Sequence, residues 1–189
     1  MLAAGASRRF EGVKALALID GKPMVQWAID ALSTADIDGL TVVLGAHAAE
    51  ILGQIEPRAA SVVIHDDWTE GLSASLRAGV NSVPAPESAV LVALADQPDI
   101  SAEDYGRLIA AWRAAPEHTA AASYGDTRGA PCILPAGSRS ALLALRGDQG
   151  ARVWLRTLAH VTEVPIESAA RDIDTRHDWQ SRLRDRGPR

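Results

Sequence analysis

The chain has 189 residues, of which 47% are hydrophobic and 23% are charged, as in a soluble globular protein with a single domain. Its formal net charge of -5 argues against extended contact with DNA or RNA, but is compatible with a local cationic pocket for a small anion. The single cysteine, Cys132, excludes an internal disulfide and a multi-cysteine metal site. No apolar run approaches the roughly 18 residues that span a bilayer, so we expect a cytoplasmic protein.

The first predicted element is a short strand, Met1 to Ala4, which ends at Gly5. Strands usually contain about five or six residues. We therefore expect the first strand to be truncated at its start.

The segment that follows, residues 5–14, has the composition of a phosphate-binding loop, and we call it the phosphate loop. Gly5 lets the backbone approach phosphate oxygens, and Ser7 can donate a hydroxyl hydrogen bond. Arg9 and Lys14 supply positive charge. The segment is neither a Walker loop nor a dinucleotide fingerprint, because it lacks the glycines that both require. An ordinary turn is the alternative explanation for this segment taken alone.

Apolar runs of strand length alternate with segments of helical spacing along the rest of the chain. The predicted strands cover residues 40–44, 61–64, 89–94 and 161–166, and the predicted helices cover 24–32 and 105–112. This alternation predicts an α/β fold with a mostly parallel sheet covered by helices. Ser101 followed by Asp104 has the form of a capping box, so the second helix should begin just after Ile100.

Asp96 stands at the end of the apolar run 90–95 and is followed by Gln97 and Pro98. In open α/β sheets the carboxyl ends of strands face the ligand crevice, so we expect Asp96 and the phosphate loop to face one crevice. A carboxylate there suits Mg²⁺, which binds one or two carboxylates together with substrate phosphates. A turn-capping role before Pro98 is the alternative, and Asp99 is a weaker candidate for the metal.

A second acidic pair, Asp172 and Asp174, precedes a short polar helix near the end of the chain. Alternation along an extended segment places both side chains on one side, so one of them can face the crevice. A helix cap with a solvated acid is the alternative. We expect residues 182–189 to form a frayed tail.

Together these segments resemble the MobA-like nucleotidyltransferases, and among them most closely the molybdenum cofactor cytidylyltransferases. The matching segments lie at residues 2–9 with Lys14, 20–23, 68–76, 95–98, 129–131, 147–152 and 172–175. Each segment by itself is weak evidence for the family. Their order along nearly the whole chain makes the set specific.

The resemblance implies a Rossmann-like nucleotide-diphospho-sugar transferase fold, with helices on both faces of the sheet. The nucleotide-binding residues that it implies are Leu2, Ala3, Ala4, Gly5, Ser7, Arg9, Lys14, Ser73 and Ser75. The acceptor-binding residues that it implies are Gly129, Pro131, Gly147, Asp148, Gly150 and Arg152. It also implies catalytic roles for Arg9, Lys14 and Asp96, with Mg²⁺ held by Asp96 and Asp174.

The chain departs from the family's pattern at several positions. Glu11 stands where the family loop usually has glycine, and Gly12 follows it. His65 replaces a common asparagine, and Arg176 and His177 replace the usual proline and acid after Thr175.

The reaction implied is attack by the terminal phosphate of molybdopterin, with or without molybdenum, on the α-phosphate of CTP, which releases pyrophosphate. Ala3 and Ala4 resemble the cytidine-using branch, whereas the guanine-using branch has a second glycine there, so CTP is favoured over GTP. The alternatives are transfer to another small phosphate, such as a sugar phosphate or phospholactate, and a non-catalytic carrier of the pterin cofactor. A transient contact with a recipient molybdenum enzyme is expected, and none with nucleic acid or a membrane.

Overall fold

The computed structural model describes residues 1–186. The strands are β1 (Leu2–Ala3), β2 (Leu18–Ile19), β3 (Lys22–Pro23), β4 (Thr41–Leu44), β5 (Ser61–Ile64), β6 (Val90–Val92), β7 (Thr119–Tyr124), β8 (Thr127–Leu134) and β9 (Val161–Pro165). The α-helices are α1 (Met24–Ser33), α2 (Ala48–Leu52), α3 (Leu72–Ser82), α4 (Ala102–Ala114), α5 (Arg139–Ala144), α6 (Ala151–Leu155) and α7 (Arg176–Arg186). Short 3₁₀ turns lie at Lys14–Leu16, Trp68–Glu70, Ala136–Ser138 and Glu167–Ala170. Within residues 1–186, no helix is both long and apolar enough to cross a bilayer.

The larger strands form one mostly parallel sheet. β5, β4 and β1 pair in that order and run parallel. β6, β8, β7 and β9 pair in that order, and β8 runs antiparallel to both of its neighbours. A parallel bridge between Leu2 and Leu94 joins the two groups, and the Leu2 N–H donates to the Ala93 carbonyl at 2.9 Å. The predicted fold class is confirmed, with β8 as the reversed strand.

The position of β1 determines where the sheet can bind a ligand. β4 lies on one side of β1, and the bridge at Leu94 places β6 on the other. The chain thus adds β4 and β5 in one direction before it returns to build β6 in the other. Crevices form at the carboxyl ends of strands at such a reversal. The phosphate loop follows β1 and Asp96 follows β6, so both open onto this crevice.

Alternate residues of the central strands pack into two different hydrophobic clusters. In β7, Ala120 and Ala122 belong to one cluster, whereas Ala121 belongs to the other. The first cluster includes buried residues of α1 and α4, and the second includes buried residues of α3, α5 and α6. Because successive strand residues point to opposite faces, helices cover both faces of the sheet.

Local sequence signals account for the predicted helix after β6. The Ser101 hydroxyl accepts a hydrogen bond from the Asp104 N–H at 3.1 Å, and the Asp104 carboxylate accepts one from the Ser101 N–H at 2.9 Å. This capping box starts α4 directly after Ser101, as the sequence predicted. The helix begins and ends a few residues beyond the predicted 105–112, because apolar spacing marks only its buried face.

The expectation of a frayed tail from residue 182 is wrong for residues 182–186, which continue α7. Arg182 is only 8% exposed, and its Nε donates to Asp99 Oδ1 at 2.9 Å, with a second contact through Nη2. This buried ion pair ties α7 to the loop that follows Asp96. Residues 187–189 of the expected tail lie outside the described residues.

Replacing Arg182 with alanine is expected to lower the free energy of unfolding by about 3–5 kcal/mol, because the Asp99 carboxylate then stays buried without its guanidinium partner. Urea denaturation followed by circular dichroism measures this change. Arg184→Ala removes the same charge from an exposed position of α7 and should change the free energy by less than about 0.5 kcal/mol. Equal midpoints for Arg182→Ala and the unchanged chain would contradict this role of the ion pair.

Candidate active site

The phosphate loop is a compact turn anchored at its middle by a buried aromatic ring. Phe10 is 5% exposed and packs edge-on against Trp179 of α7, with ring centroids 6.2 Å apart. The Ser7 hydroxyl accepts a hydrogen bond from the Lys14 N–H at 3.1 Å, which closes the loop. The hydroxyl proton of Ser7 is left to donate elsewhere.

Gly5 is the first residue of this loop and lies at the wall of the crevice. A methyl group built on Gly5 would meet no protein atom within 4 Å. Packing therefore does not require glycine at this position. Its small size instead leaves the backbone beside the crevice open to a close approach.

Two cations of the phosphate loop contact carboxylates from two distant segments. Lys14 Nζ lies 2.8 Å from Asp96 Oδ2 and 3.0 Å from Asp174 Oδ1. Arg9 Nη2 lies 2.8 Å from Asp174 Oδ2. The end of β6 positions Asp96, and the segment before α7 positions Asp174. The structure thus brings the predicted catalytic and metal-binding residues together at one point.

The electrostatics of this cluster keep its members charged. Burial alone would lower the pKa of the Lys14 ammonium group, but the charges and hydrogen bonds of Asp96 and Asp174 outweigh burial and raise it. Burial alone would raise the pKa of Asp174, but Lys14 and Arg9 outweigh it and lower that pKa. At neutral pH, Lys14 is therefore a cation beside the anionic carboxylate of Asp174.

Backbone hydrogen bonds fix the position of Asp174. The Ile173 N–H donates to the Asp96 carbonyl at 3.0 Å, which holds the acidic segment against the end of β6. The Asp178 carboxylate accepts from the Asp174 N–H at 3.1 Å and from the Thr175 N–H at 2.8 Å. The Thr175 hydroxyl in turn accepts from the Asp178 N–H at 3.1 Å. This capping box starts α7 two residues after the acid that it orients.

Asp172 lies on the same side of the segment but has a different environment. The Nε2 group of Gln97, a residue that is 1% exposed, lies 2.9 Å from Asp172 Oδ1 and 3.2 Å from the Ala130 carbonyl. Burial and the charge of Asp96 raise the pKa of Asp172. Gln97 therefore connects the acidic segment to residue 130 of β8.

Two carboxylates of the site could hold a divalent metal. Among the described residues, no three histidine, cysteine or acidic side chains form a metal-binding group. Asp96 and Asp174 nevertheless meet at Lys14, and Asp96 Oδ1 is buried without a hydrogen-bond partner. Two carboxylates with an unsatisfied oxygen fit a hard cation such as Mg²⁺ or Mn²⁺, which takes its remaining ligands from water and phosphate.

The crevice has a volume of about 430 Å³. The predicted residues that line it are Leu2, Ala3, Ala4, Gly5, Ser7, Arg9, Lys14, Ser75, Asp96, Asp148 and Asp174. Trp68, Thr69, Gly71 and Leu72 also line it, although they are not among the predicted site residues. These four residues lie inside segment 68–76, which matches the family pattern. The whole segment, and not only its two predicted serines, therefore indicated the crevice wall.

Ser73 is a correction to the predicted nucleotide-binding set. Its side chain is fully buried, and its hydroxyl accepts a hydrogen bond from Arg77 Nη1 at 3.1 Å. The Ser73 N–H donates to the Gly147 carbonyl at 3.0 Å. Ser73 therefore joins the start of α3 to the 147–150 turn and does not line the crevice.

Close packing requires glycine at positions 71 and 150, whereas Gly147 has a positive φ of 60°. A methyl group on Gly71 would lie 2.6 Å from the Gly147 carbonyl carbon, and one on Gly150 would lie 2.5 Å from Leu72 Cδ2. This packing of the turn against the start of α3 places Asp148 at the crevice wall, whereas Gly147 and Gly150 do not line the crevice.

The remaining predicted acceptor residues lie beside β7 and β8, away from the crevice wall. A methyl group on Gly129 would lie 2.5 Å from the Tyr124 hydroxyl, and Pro131 follows a cis peptide bond. Arg152 Nη2 lies 3.4 Å from Thr127 Oγ1. Burial and the charge of Asp172 raise the pKa of Tyr124, whereas Arg152 lowers it. Tyr124, which no sequence signal marked, thus neighbours both Asp172 and Arg152.

The sequence of this chain matches a protein family and a named relative. Residues 1–163 match the MobA-like NTP transferase domain. The nicotine blue oxidoreductase of Paenarthrobacter nicotinovorans is 34% identical over 185 residues, which cover 93% of this chain and 90% of that protein.

Two solved structures share the fold over nearly their whole length. The homologue of Mycobacterium tuberculosis Rv0371c from Mycobacterium sp. strain JC1 is 28% identical, with a TM-score of 0.85, covering 97% of this chain and 93% of that one. Rv0371c from M. tuberculosis H37Rv, solved in complex with manganese, is 24% identical, with a TM-score of 0.81. The match covers 97% of this chain and 95% of that one.

Replacing Lys14 with methionine is expected to raise the pKa of Asp174 toward its ordinary value, because the ammonium group that stabilises the carboxylate is lost. Carbon NMR titration of the aspartate carboxyl groups measures this shift. Lys22→Met is the matched control, since Lys22 pairs with Asp30 and should raise only the pKa of Asp30. An unchanged Asp174 titration in Lys14→Met would show that the bridge does not form in solution.

Proposed function

The chain belongs to the MobA-like NTP transferase family, and from that premise we propose that it transfers the CMP group of CTP to the terminal phosphate of molybdopterin or the molybdenum cofactor. One observation carries the proposal: Lys14 of the phosphate loop bridges Asp96 and Asp174 at the switch point of the sheet. Cations beside a glycine turn suit a triphosphate, and paired carboxylates suit the metal that accompanies it.

The reaction proposed is a direct displacement. An oxygen of the acceptor phosphate forms a bond to the α-phosphorus of CTP, and the bond from that phosphorus to the oxygen bridging the β-phosphate breaks. Pyrophosphate leaves with the electron pair of that bond. No covalent intermediate on the protein is needed, so the residues act by positioning two anions and offsetting their repulsion.

Asp96 and Asp174 would hold Mg²⁺, and the manganese complex of Rv0371c, which has the same fold, supports the involvement of a divalent ion. When bound, the ion supplies charge neutralisation and orientation at the transferred phosphoryl group. Lys14 contacts both of these carboxylates, so its ammonium group would be free to reach the phosphates if the carboxylates held the ion. Arg9 next to it adds a second cation, and the open backbone at Gly5 admits the phosphate oxygens.

The choice of CTP rests on Ala3 and Ala4, which resemble the cytidine-using branch. The acceptor rests on the family resemblance and on the region around Gly129, Asp148 and Arg152. GTP, a sugar phosphate or phospholactate would use the same loop and carboxylates. We further propose that the protein is cytoplasmic. It would make a transient contact with the molybdenum enzyme that receives the product.

A second candidate function is an oxidation or reduction like that of the relative named nicotine blue oxidoreductase. Its 34% identity over 93% of this chain favours it. Cys132 is fully buried, and burial raises the pKa of its thiol to about 12, so a redox role for this thiol is disfavoured. Such a reaction would need a separate electron donor or acceptor in the crevice, for which a nicotinamide dinucleotide is a suitable probe.

Incubating the protein with molybdopterin, Mg²⁺ and either CTP or GTP should yield pyrophosphate and a pterin dinucleotide with the mass of the CMP adduct. Mass spectrometry identifies the product and its base. A parallel arm supplies nicotine blue with NADH or NADPH and follows the absorbance of the reduced nicotinamide. Redox turnover without any nucleotide transfer would overturn the proposal in favour of the second candidate. Pterin binding without Mg²⁺-dependent pyrophosphate release would indicate a carrier.

Asp96→Asn should reduce pyrophosphate release by about 10²–10³-fold, the range seen when an electrostatic stabiliser of a transition state is removed. The amide keeps the shape of the side chain but loses its charge. Asp36→Asn is the control, since Asp36 is 80% exposed and pairs with Arg113. Steady-state turnover of both variants measures the loss of pyrophosphate release. Near-normal turnover of Asp96→Asn would refute the metal-binding role.

A further inference from the structure

Arg176, the first residue of α7, makes a two-point contact with the phosphate loop. Its Nε donates to the Phe10 carbonyl at 3.1 Å, and its Nη2 donates to the Glu11 carbonyl at 2.9 Å. The planar guanidinium group can reach two successive carbonyl oxygens at once, which an ammonium group cannot do in the same way. The contact joins residues 166 and 165 positions apart in the chain.

The loop has a conformational reason to need this contact. Ser7 and Glu11 both have φ near 55°, in the left-handed region that residues with a Cβ rarely adopt. Glycine adopts this region without strain, whereas Glu11 carries a Cβ. A loop that contains Glu11 therefore holds its shape only if its surroundings fix it.

We infer that Arg176 is a positioning residue that holds the phosphate loop in its phosphate-binding shape. The inference rests on the proposed function, in that the loop binds the triphosphate. The clamped carbonyls of Phe10 and Glu11 directly follow Arg9, so the clamp fixes the backbone from which Arg9 reaches Asp174. The two departures from the family pattern, at 11 and 176, are thus in direct contact, and the second offsets the first.

Arg176→Ala is the main test, with Arg176→Lys as the conservative variant and Arg184→Ala as the control. Arg184 lies on the same helix, is exposed, and contacts Ser181 instead of the loop. Hydrogen exchange of the loop amides, read by mass spectrometry on the ligand-free protein, should become about tenfold faster in Arg176→Ala and stay unchanged in Arg184→Ala. Unchanged exchange in Arg176→Ala would overturn the inference.

A second measurement separates positioning from simple stability. Calorimetric titration with Mg²⁺-pyrophosphate should show about a tenfold higher Kd in Arg176→Ala, a difference of about 1.4 kcal/mol. Arg176→Lys should fall between this variant and the unchanged chain. In the pyrophosphate-release assay the KM for CTP should rise in parallel, while kcat stays within about twofold, because Lys14, Asp96 and Asp174 are unaltered.

A merely structural role would lower the melting temperature and the fraction of active protein, and would leave Kd and KM unchanged. That result would reject the inference and leave the proposed function intact. If instead the unchanged chain transfers no nucleotide, the proposed function fails, while the exchange experiment still decides whether Arg176 holds the loop.

Discussion

The organisation of this site depends on one ammonium group shared by two carboxylates. Lys14 reaches residues that lie 82 and 160 positions away in the chain, so the contact closes only when the sheet and the end of the chain are both in place. Each partner alone would be a partly buried, uncompensated charge, which is costly. The three segments therefore stabilise one another, and the charged crevice is a product of the complete fold rather than of any single motif.

The same contact explains how an acidic protein can attract an anionic substrate. The net charge is -5, but the two cations of the phosphate loop, Arg9 and Lys14, line the crevice together with Asp96 and Asp174. A divalent ion bound to those carboxylates would change the summed charge of these four side chains and the ion from neutral to positive. Field strength in a crevice depends on such nearby groups far more than on the total charge of the surface.

Much of the sheet was predictable from sequence because β4, β5 and β9 consist of β-branched or apolar runs with clear boundaries. The strands β7 and β8 were missed for a physical reason: Thr119–Tyr124 is rich in alanine, and Thr127–Leu134 contains Gly129 and Pro131, which disfavour strands in isolation. Tertiary packing on both faces outweighs these weak local preferences. In the site, Asp96 and Asp174 were predictable from their places at element ends. Gln97 and Tyr124 were not, because their roles arise from contacts between segments distant in the chain.

The segment after the family match contributes to the crevice and to the phosphate loop's contacts. The recognisable domain ends at residue 163, yet Asp174 and Arg176 lie beyond it and complete the crevice. A chain trimmed to residue 163 would cut β9 short and would lose Asp174 together with the guanidinium contact of Arg176. The end of the family match therefore does not mark a fragment that retains the whole crevice.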